Sequence, residues 1–234
     1  MRIRIKFRKY GSVRYIGHLD LMRFFQKAIR RAQIDVAYTS GFSPHQIMAF
    51  AAPLGVGMTS NGEYMDIEVH SIVSCENLMD KLNHASVPGI EVISVKILPE
   101  HTPNAMASVA AASYTVRFRE GRAPQAELVG LLPSFLSREQ ILITKKTKKG
   151  SRELDLKKGI FHLEIPSPGV LSMLVDASSG GNIKPIHVVE AILAQNGETL
   201  QENALLITRE DVYTNLGSED HPRFISLGEI GSDM

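Results

Sequence analysis

The stretch Arg14 to Gly57 reads RYIGHLDLMRFFQKAIRRAQIDVAYTSGFSPHQIMAFAAPLGVG. Leu21, Phe25, Ala28, Ile29 and Ala32 recur there at the spacing of one helical stripe. Arg23, Lys27, Arg30 and Arg31 fall largely on the opposite side. The pattern predicts one amphipathic helix that starts near His18 to Asp20 and ends near Gln33. Asp20 suits the first turn, where the helix dipole favours a carboxylate, and the bases suit the opposite pole. A turn at Thr39-Ser40-Gly41 leads into Phe42-Ser43-Pro44-His45. The apolar run from Ile47 to Ala52 reads as a short buried strand, which Pro53 and Gly55 to Gly57 end.

Working outward, Ile3, Ile5 and Phe7 alternate with Arg2, Arg4, Lys6 and Arg8, the period of a strand with one apolar and one basic face. Glu63 to Val69 alternates in the same way. Ser74 is placed to cap a second helix carrying Leu78, Met79 and Leu82, and Pro88-Gly89 breaks it. Ile90 to Leu98 is a further strand. Strand, helix, strand, strand, helix, strand is the ferredoxin-like order, βαββαβ with an antiparallel sheet. In that order the first strand lies beside the third, so Asp66 and Glu68 are expected across from Arg4 and Lys6. Both helices then cover one sheet face and leave the other open.

Residues 99–112, with Pro99, Pro103 and an alanine-rich stretch, read as a linker in which the alanines can form a short helix. Residues 113–214 repeat the first half more loosely. Strands are expected at 114–119, 160–165, 170–176 and 204–213, and helices at 124–136, with Pro124 at its first position, and at 185–194. A hairpin is added around Lys148-Lys149-Gly150-Ser151. The expectation is therefore an α+β chain of two ferredoxin-like halves, residues 1–98 and 113–214, with a mobile tail over 215–234.

A net charge of +1 hides an uneven distribution. Residues 1–34 hold ten bases and one acid, a net of +9, so the remaining 200 residues carry −8. Such asymmetry points to an anionic partner, unless the acidic remainder neutralises it internally. The lone cysteine, Cys75, excludes an internal disulfide and an iron–sulfur cluster or cysteine-rich zinc site built by this chain alone. No apolar run approaches the roughly 20 residues that span a bilayer, and the N-terminal alternation is not that of a signal peptide. A reducing cytoplasm is the expected location.

Several motifs carry a resemblance. They are Arg14, Gly17-His18-Leu19-Asp20-Leu21-Met22-Arg23, Ala28, Arg30-Arg31, Gly41-Phe42-Ser43-Pro44-His45, Pro53-Leu54-Gly55-Val56-Gly57 and Glu63-Tyr64-Met65-Asp66. Leu154-Asp155-Leu156, Asn182-Ile183-Lys184-Pro185, Arg209 and Tyr213 extend them to about Tyr213. In these residues the chain resembles an uncharacterised radical-SAM-linked family. It departs from the pattern at Gly17, where a serine is expected, and at Gln46 and Ile47, where a proline and a lysine are expected. The resemblance implies a cytoplasmic bacterial protein that works beside a radical-SAM enzyme. One cysteine agrees with the companion role, because a radical-SAM cluster needs three thiolates.

His18 and His45 are the candidates for acid–base chemistry, being able to titrate near neutrality and to converge from a helix start and a loop. The structural alternative is that His18 packs at the helix start and His45 bonds a backbone carbonyl. With Asp20 or Glu63 the two histidines form a conceivable metal set, but no spacing fixes its geometry, and neither metal nor cofactor is expected. Arg14, Arg23, Lys27, Arg30 and Arg31 form the candidate binding surface, and RNA is the preferred ligand. Tyr10, Tyr15 and Tyr64 are the only nearby rings considered for stacking, so contact with the RNA backbone is expected. Lys145, Lys146, Lys148, Lys149 and Arg152 form a second basic cluster at the hairpin tip. No P-loop, dinucleotide fingerprint or nucleophile elbow occurs. The sequence thus leans to a non-catalytic companion that binds or presents RNA. A metal-free ribonuclease using His18 or His45 and a protein-only scaffold are the alternatives.

Overall fold

Ile3, Ile5 and Phe7 are fully buried, as their period-two pattern requires. The computed structural model describes residues 1–147 and 150–233. In chain order it contains β1 (Arg2–Lys9), α1 (His18–Arg31), β2 (Met48–Phe50), β3 (Thr59–Glu68), α2 (Cys75–His84), β4 (Ile90–Ile97) and α3 (Ala105–Ser108). There follow β5 (Ala111–Phe118), α4 (Leu128–Leu136), β6 (Leu142–Thr147), β7 (Gly150–Asp155), β8 (Ile160–Ser167) and β9 (Val170–Asp176). The last elements are α5 (Pro185–Ala194), β10 (Leu205–Asn215) and β11 (Phe224–Ser226). The chain is a mixed α+β protein with a large, mostly antiparallel sheet. It divides into two compact units, Met1–Ala110 with Arg209–Met234, and Ala111–Thr208. Among the described residues no helix is long and apolar enough to cross a membrane.

In the first unit β1 lies between β4 and β3, and the outer side of β3 takes β2 through Met48↔Ile67 and Phe50↔Met65. The same side of β3 is continued by β10, to which β11 pairs. Gly62 lets these backbones meet: a Cβ there would stand 2.7 Å from the Glu210 carbonyl oxygen. α1 and α2 cover one sheet face. Their Leu21, Phe25, Ile29, Leu78 and Leu82 pack on Ile3, Ile5, Phe7, Met65 and Ile67. Phe25 meets Phe7 edge-on at 4.7 Å between ring centroids, a geometry that adds to the burial of two large apolar groups.

The opposite face differs from the open surface expected of it. Arg4 is opposite Asp66 in the β1–β3 register, as anticipated, but this pair is 1% and 2% exposed. Arg4 Nε donates to Asp66 Oδ1 at 2.8 Å, and its Nη2 donates to Asp66 Oδ2 at 3.0 Å. Further Arg4 bonds reach the Leu227 and Pro103 carbonyls, so residues around α3 and β11 cover this face. Lys6 lies opposite Tyr64, with Arg2 opposite Glu68, and Lys6 Nζ pairs instead with Asp211 at 3.0 Å. Tyr64 donates to Asp211 Oδ1, and Ser226 Oγ donates to Asp211 Oδ2 at 2.8 Å. The segment expected to be a mobile tail thus carries β11 and is bonded to the sheet, and Ser232 also exchanges backbone bonds with Ile97.

In the second unit β9 lies between β5 and β8, with Ala111↔Asp176 and Ile160↔Val175 in register. α5 buries Val188, Val189, Ile192 and Leu193. α4 begins at Leu128 rather than at Pro124. The Glu198 carboxylate accepts from the Gln125 and Ala126 amides at 2.9 Å each and holds that segment outside the helix. β6 and β7 form the expected hairpin. Of its basic cluster, Lys148 and Lys149 lie outside the described residues, as do the side chains of Lys145, Lys146 and Arg152.

Candidate functional site

Of the residues singled out above, His18 and Asp20 lie in the first turn of α1, and Arg23, Lys27, Arg30 and Arg31 lie further along the helix. Gly17 is the N-cap and offers no side-chain acceptor, although a Cβ there would meet nothing within 4 Å. A serine would fit and would satisfy an orphan amide, a contribution of about 0.5–2 kcal/mol at typical N-caps. The turn before the helix is tied to the Pro53–Gly57 loop by Gly57 N–H donating to the Arg14 carbonyl at 2.9 Å.

Behind the helix start lies a buried ionic cluster. Lys9 continues the inward series of Ile3, Ile5 and Phe7 and is 1% exposed. Its Nζ donates to the Ile16 carbonyl at 2.8 Å. Glu63 accepts a two-pronged bond from Arg209, with Nε to Oε1 at 2.8 Å, and Arg209 also donates to the Ala52 carbonyl at 2.9 Å. Both partners of this pair are almost fully buried. Burial pushes the Lys9 ammonium below its ordinary range; the Glu63 charge opposes this and the Arg209 charge adds to it.

His18 packs its ring edge-on to Phe50 at 5.3 Å, half-buried. Burial lowers its pKa, with Glu63 pulling it up and Lys9 pushing it down. The unfolded chain therefore binds the His18 proton more readily than the folded one. Stability contributed in this way is present above 6.5, the ordinary value, and is lost as the pH falls through the lowered one. Urea midpoints measured from about pH 7 to about pH 5 should fall more steeply for the wild type than for His18→Gln. Equal slopes would remove His18 as the source.

His45 stands apart from this cluster. It is exposed, its Nδ1 lies 3.1 Å from Thr39 Oγ1 and 3.4 Å from the Ser43 carbonyl, and its own carbonyl accepts from the Thr39 amide at 2.9 Å. These bonds close the loop that holds Ser43 and Pro44. Among the described residues, no group of three or more His, Cys, Asp or Glu side chains is arranged to hold a metal.

The basic residues divide. Arg14 is half-buried, its guanidinium lies over the Tyr15 ring at 4.8 Å, and its buried Nε has no hydrogen-bond partner among the described residues. Arg23, Lys27, Arg30 and Arg31 are exposed on α1. Arg23 meets Asp20 at 3.3 Å, a solvent-exposed pair of little energetic weight. Arg31 donates to the Ala85 carbonyl at 2.8 Å and so helps terminate α2. Among the described residues no carboxylate pairs with Lys27 or Arg30. At the far end of the helix Arg31 lines a cleft of about 620 Å³ with Asn77, Asp80, Lys81, His84 and Ser86.

Sequence reasoning missed Lys9, whose odd position on an alternating strand was the available signal. It also missed Asp211 and Phe42. Phe42 stands fully exposed at the loop tip, whereas Tyr64, considered as a stacking ring, is buried. No curated protein matches the chain. Residues 2–185 match the model of a family described as an uncharacterized protein conserved in bacteria, and the chain therefore belongs to that family (DUF2344).

Proposed function

We propose that this protein is a non-catalytic companion of a radical-SAM enzyme that binds or presents RNA on the exposed side of α1. We read its two units as ferredoxin-like, the first with an added outer strand and the second with an inserted hairpin. The carrying observation is the ridge Arg23, Lys27, Arg30 and Arg31, of which Lys27 and Arg30 have no acidic partner among the described residues. Arg23, Lys27 and Arg31 follow one another at i, i+4. Like charges at that spacing destabilise a helix by about 0.2–0.5 kcal/mol per pair, a cost that an anionic ligand offsets. Successive positions stand one turn apart, about 5.4 Å, and can follow a line of phosphates. The radical-SAM partner rests on the motifs around His18, Pro44 and Glu63. One buried cysteine leaves the three cluster thiolates to another module.

Lys27→Glu separates binding from folding. At i, i+4 it removes two repulsive pairs and creates two attractive ones, so stability should rise by about 1–2 kcal/mol. Filter retention of RNA at low salt should nonetheless weaken about tenfold. Retained RNA should stay full-length, and a radical-SAM protein should co-purify. Cleaved RNA would instead favour the nuclease, and a co-purifying partner with no RNA retained would favour a scaffold.

A further inference from the structure

We infer that Phe42 is a stacking platform for an unpaired base, so that the ligand of the α1 ridge is single-stranded RNA. The inference rests on the RNA reading above and adds to it the state of the strand. Phe42 is fully exposed, with its whole apolar ring in water. Full burial of such a ring is worth about 1.5–3 kcal/mol, and nothing in the fold recovers it. The loop beneath it is nevertheless fastened. Thr39 and His45 exchange three contacts, with the Thr39 amide to the His45 carbonyl at 2.9 Å, the His45 amide to Thr39 Oγ1 at 3.2 Å, and the His45 ring to the same hydroxyl at 3.1 Å. Tyr38 and Gln46 add a β-bridge below them, and Tyr38 is itself exposed.

The same base ties the loop to the ridge. Gln46 is buried, and its Nε2 donates to the Gln26 carbonyl on α1 at 3.3 Å. Gln26 lies three residues after Arg23 and four before Arg30, which places it on their side of the helix. Phe42 lies four positions before Gln46, so its Cα stays within about 14 Å of the Cα of that anchor. A file of cations beside a projecting aromatic on a fastened loop is the combination that holds single strands: charges follow the backbone and the ring takes a base without regard to its identity. A duplex keeps its bases stacked inside and offers the ring nothing. His45, exposed on the same loop, then positions the loop through Thr39.

The test compares one unstructured oligoribonucleotide with a blunt duplex of the same length, using wild type, Phe42→Ala and Phe42→Trp. Wild type should prefer the single strand. Phe42→Ala should weaken single-strand binding about tenfold and leave duplex binding unchanged, as loss of one stacked base requires. Its dependence on salt should match the wild type, because a ring carries no charge. Phe42→Trp should restore the affinity. Phe42 is fully exposed, so neither variant threatens the fold. RNA binding that the ridge governs but Phe42→Ala leaves intact would overturn the stacking role and spare the RNA reading. Absence of RNA binding by the wild type would overturn both. Loss of a co-purifying protein in Phe42→Ala with unchanged RNA affinity would assign the ring to a protein contact and likewise refute the inference.

Discussion

Replacing Glu63 by alanine is expected to lower the unfolding free energy by about 3–5 kcal/mol, the cost of breaking a buried ion pair from one side. Glu63 is the carboxylate that Arg209 grips behind α1, and Lys9 and Arg209 are both buried there. Its removal leaves two cations in a region of low polarisability. Arg209 keeps its bond to the Ala52 carbonyl, but a carbonyl does not neutralise a guanidinium. Lys9 loses the one charge that opposes its desolvation. Urea denaturation followed by circular dichroism measures the effect. Glu63→Met combined with Arg209→Met should recover much of the loss, since apolar replacement of a whole buried pair is often neutral. A loss under about 1 kcal/mol in Glu63→Ala would show that the pair is far less shielded from water than its burial implies.

Replacing Arg23, Lys27 and Arg30 together by alanine should reduce RNA affinity at low salt by a factor on the order of a hundred to a thousand. The fold should survive, because all three side chains are exposed and alanine is the best helix former. Among the described residues the variant loses one ion pair, the exposed contact of Arg23 with Asp20. A comparable fall in affinity from neutralising the strand bases Arg4 or Lys6 is not expected, since both are engaged by Asp66 and Asp211. The positive end of the molecule is thus partly neutralised inside the fold and partly displayed, and α1 is the displayed part.

How far this could be read in advance depended on the range of each interaction. The helical stripe of Leu21, Phe25, Ala28 and Ile29 and the alternation of Ile3, Ile5 and Phe7 are local patterns, and both fall where expected. The register of Arg4 with Asp66 followed from the order of the elements. Lys9 was visible as a base on the apolar parity of its strand. Glu63 with Arg209, and Tyr64 with Asp211, join residues 146 and 147 positions apart, and no local period signals such a pair. The covering of the second sheet face by residues near Pro103 and Leu227 was hidden for the same reason. Pro124 looked like a helix start until Glu198, 72 to 73 residues away, took the nearby amides. Exposure of Phe42 is equally nonlocal, because a ring in a loop motif reads as core until its surroundings are known.

The dependence of RNA affinity on salt tests the role of α1 most directly. Each phosphate neutralised on a single strand contributes a slope of about −0.7 to the logarithmic plot, so three ridge contacts predict about −2 between roughly 50 and 200 mM salt. The triple alanine variant should lose about that much of the slope and keep only what Arg31 and other bases contribute. A wild-type slope near zero, or one that the variant leaves untouched, would contradict the account.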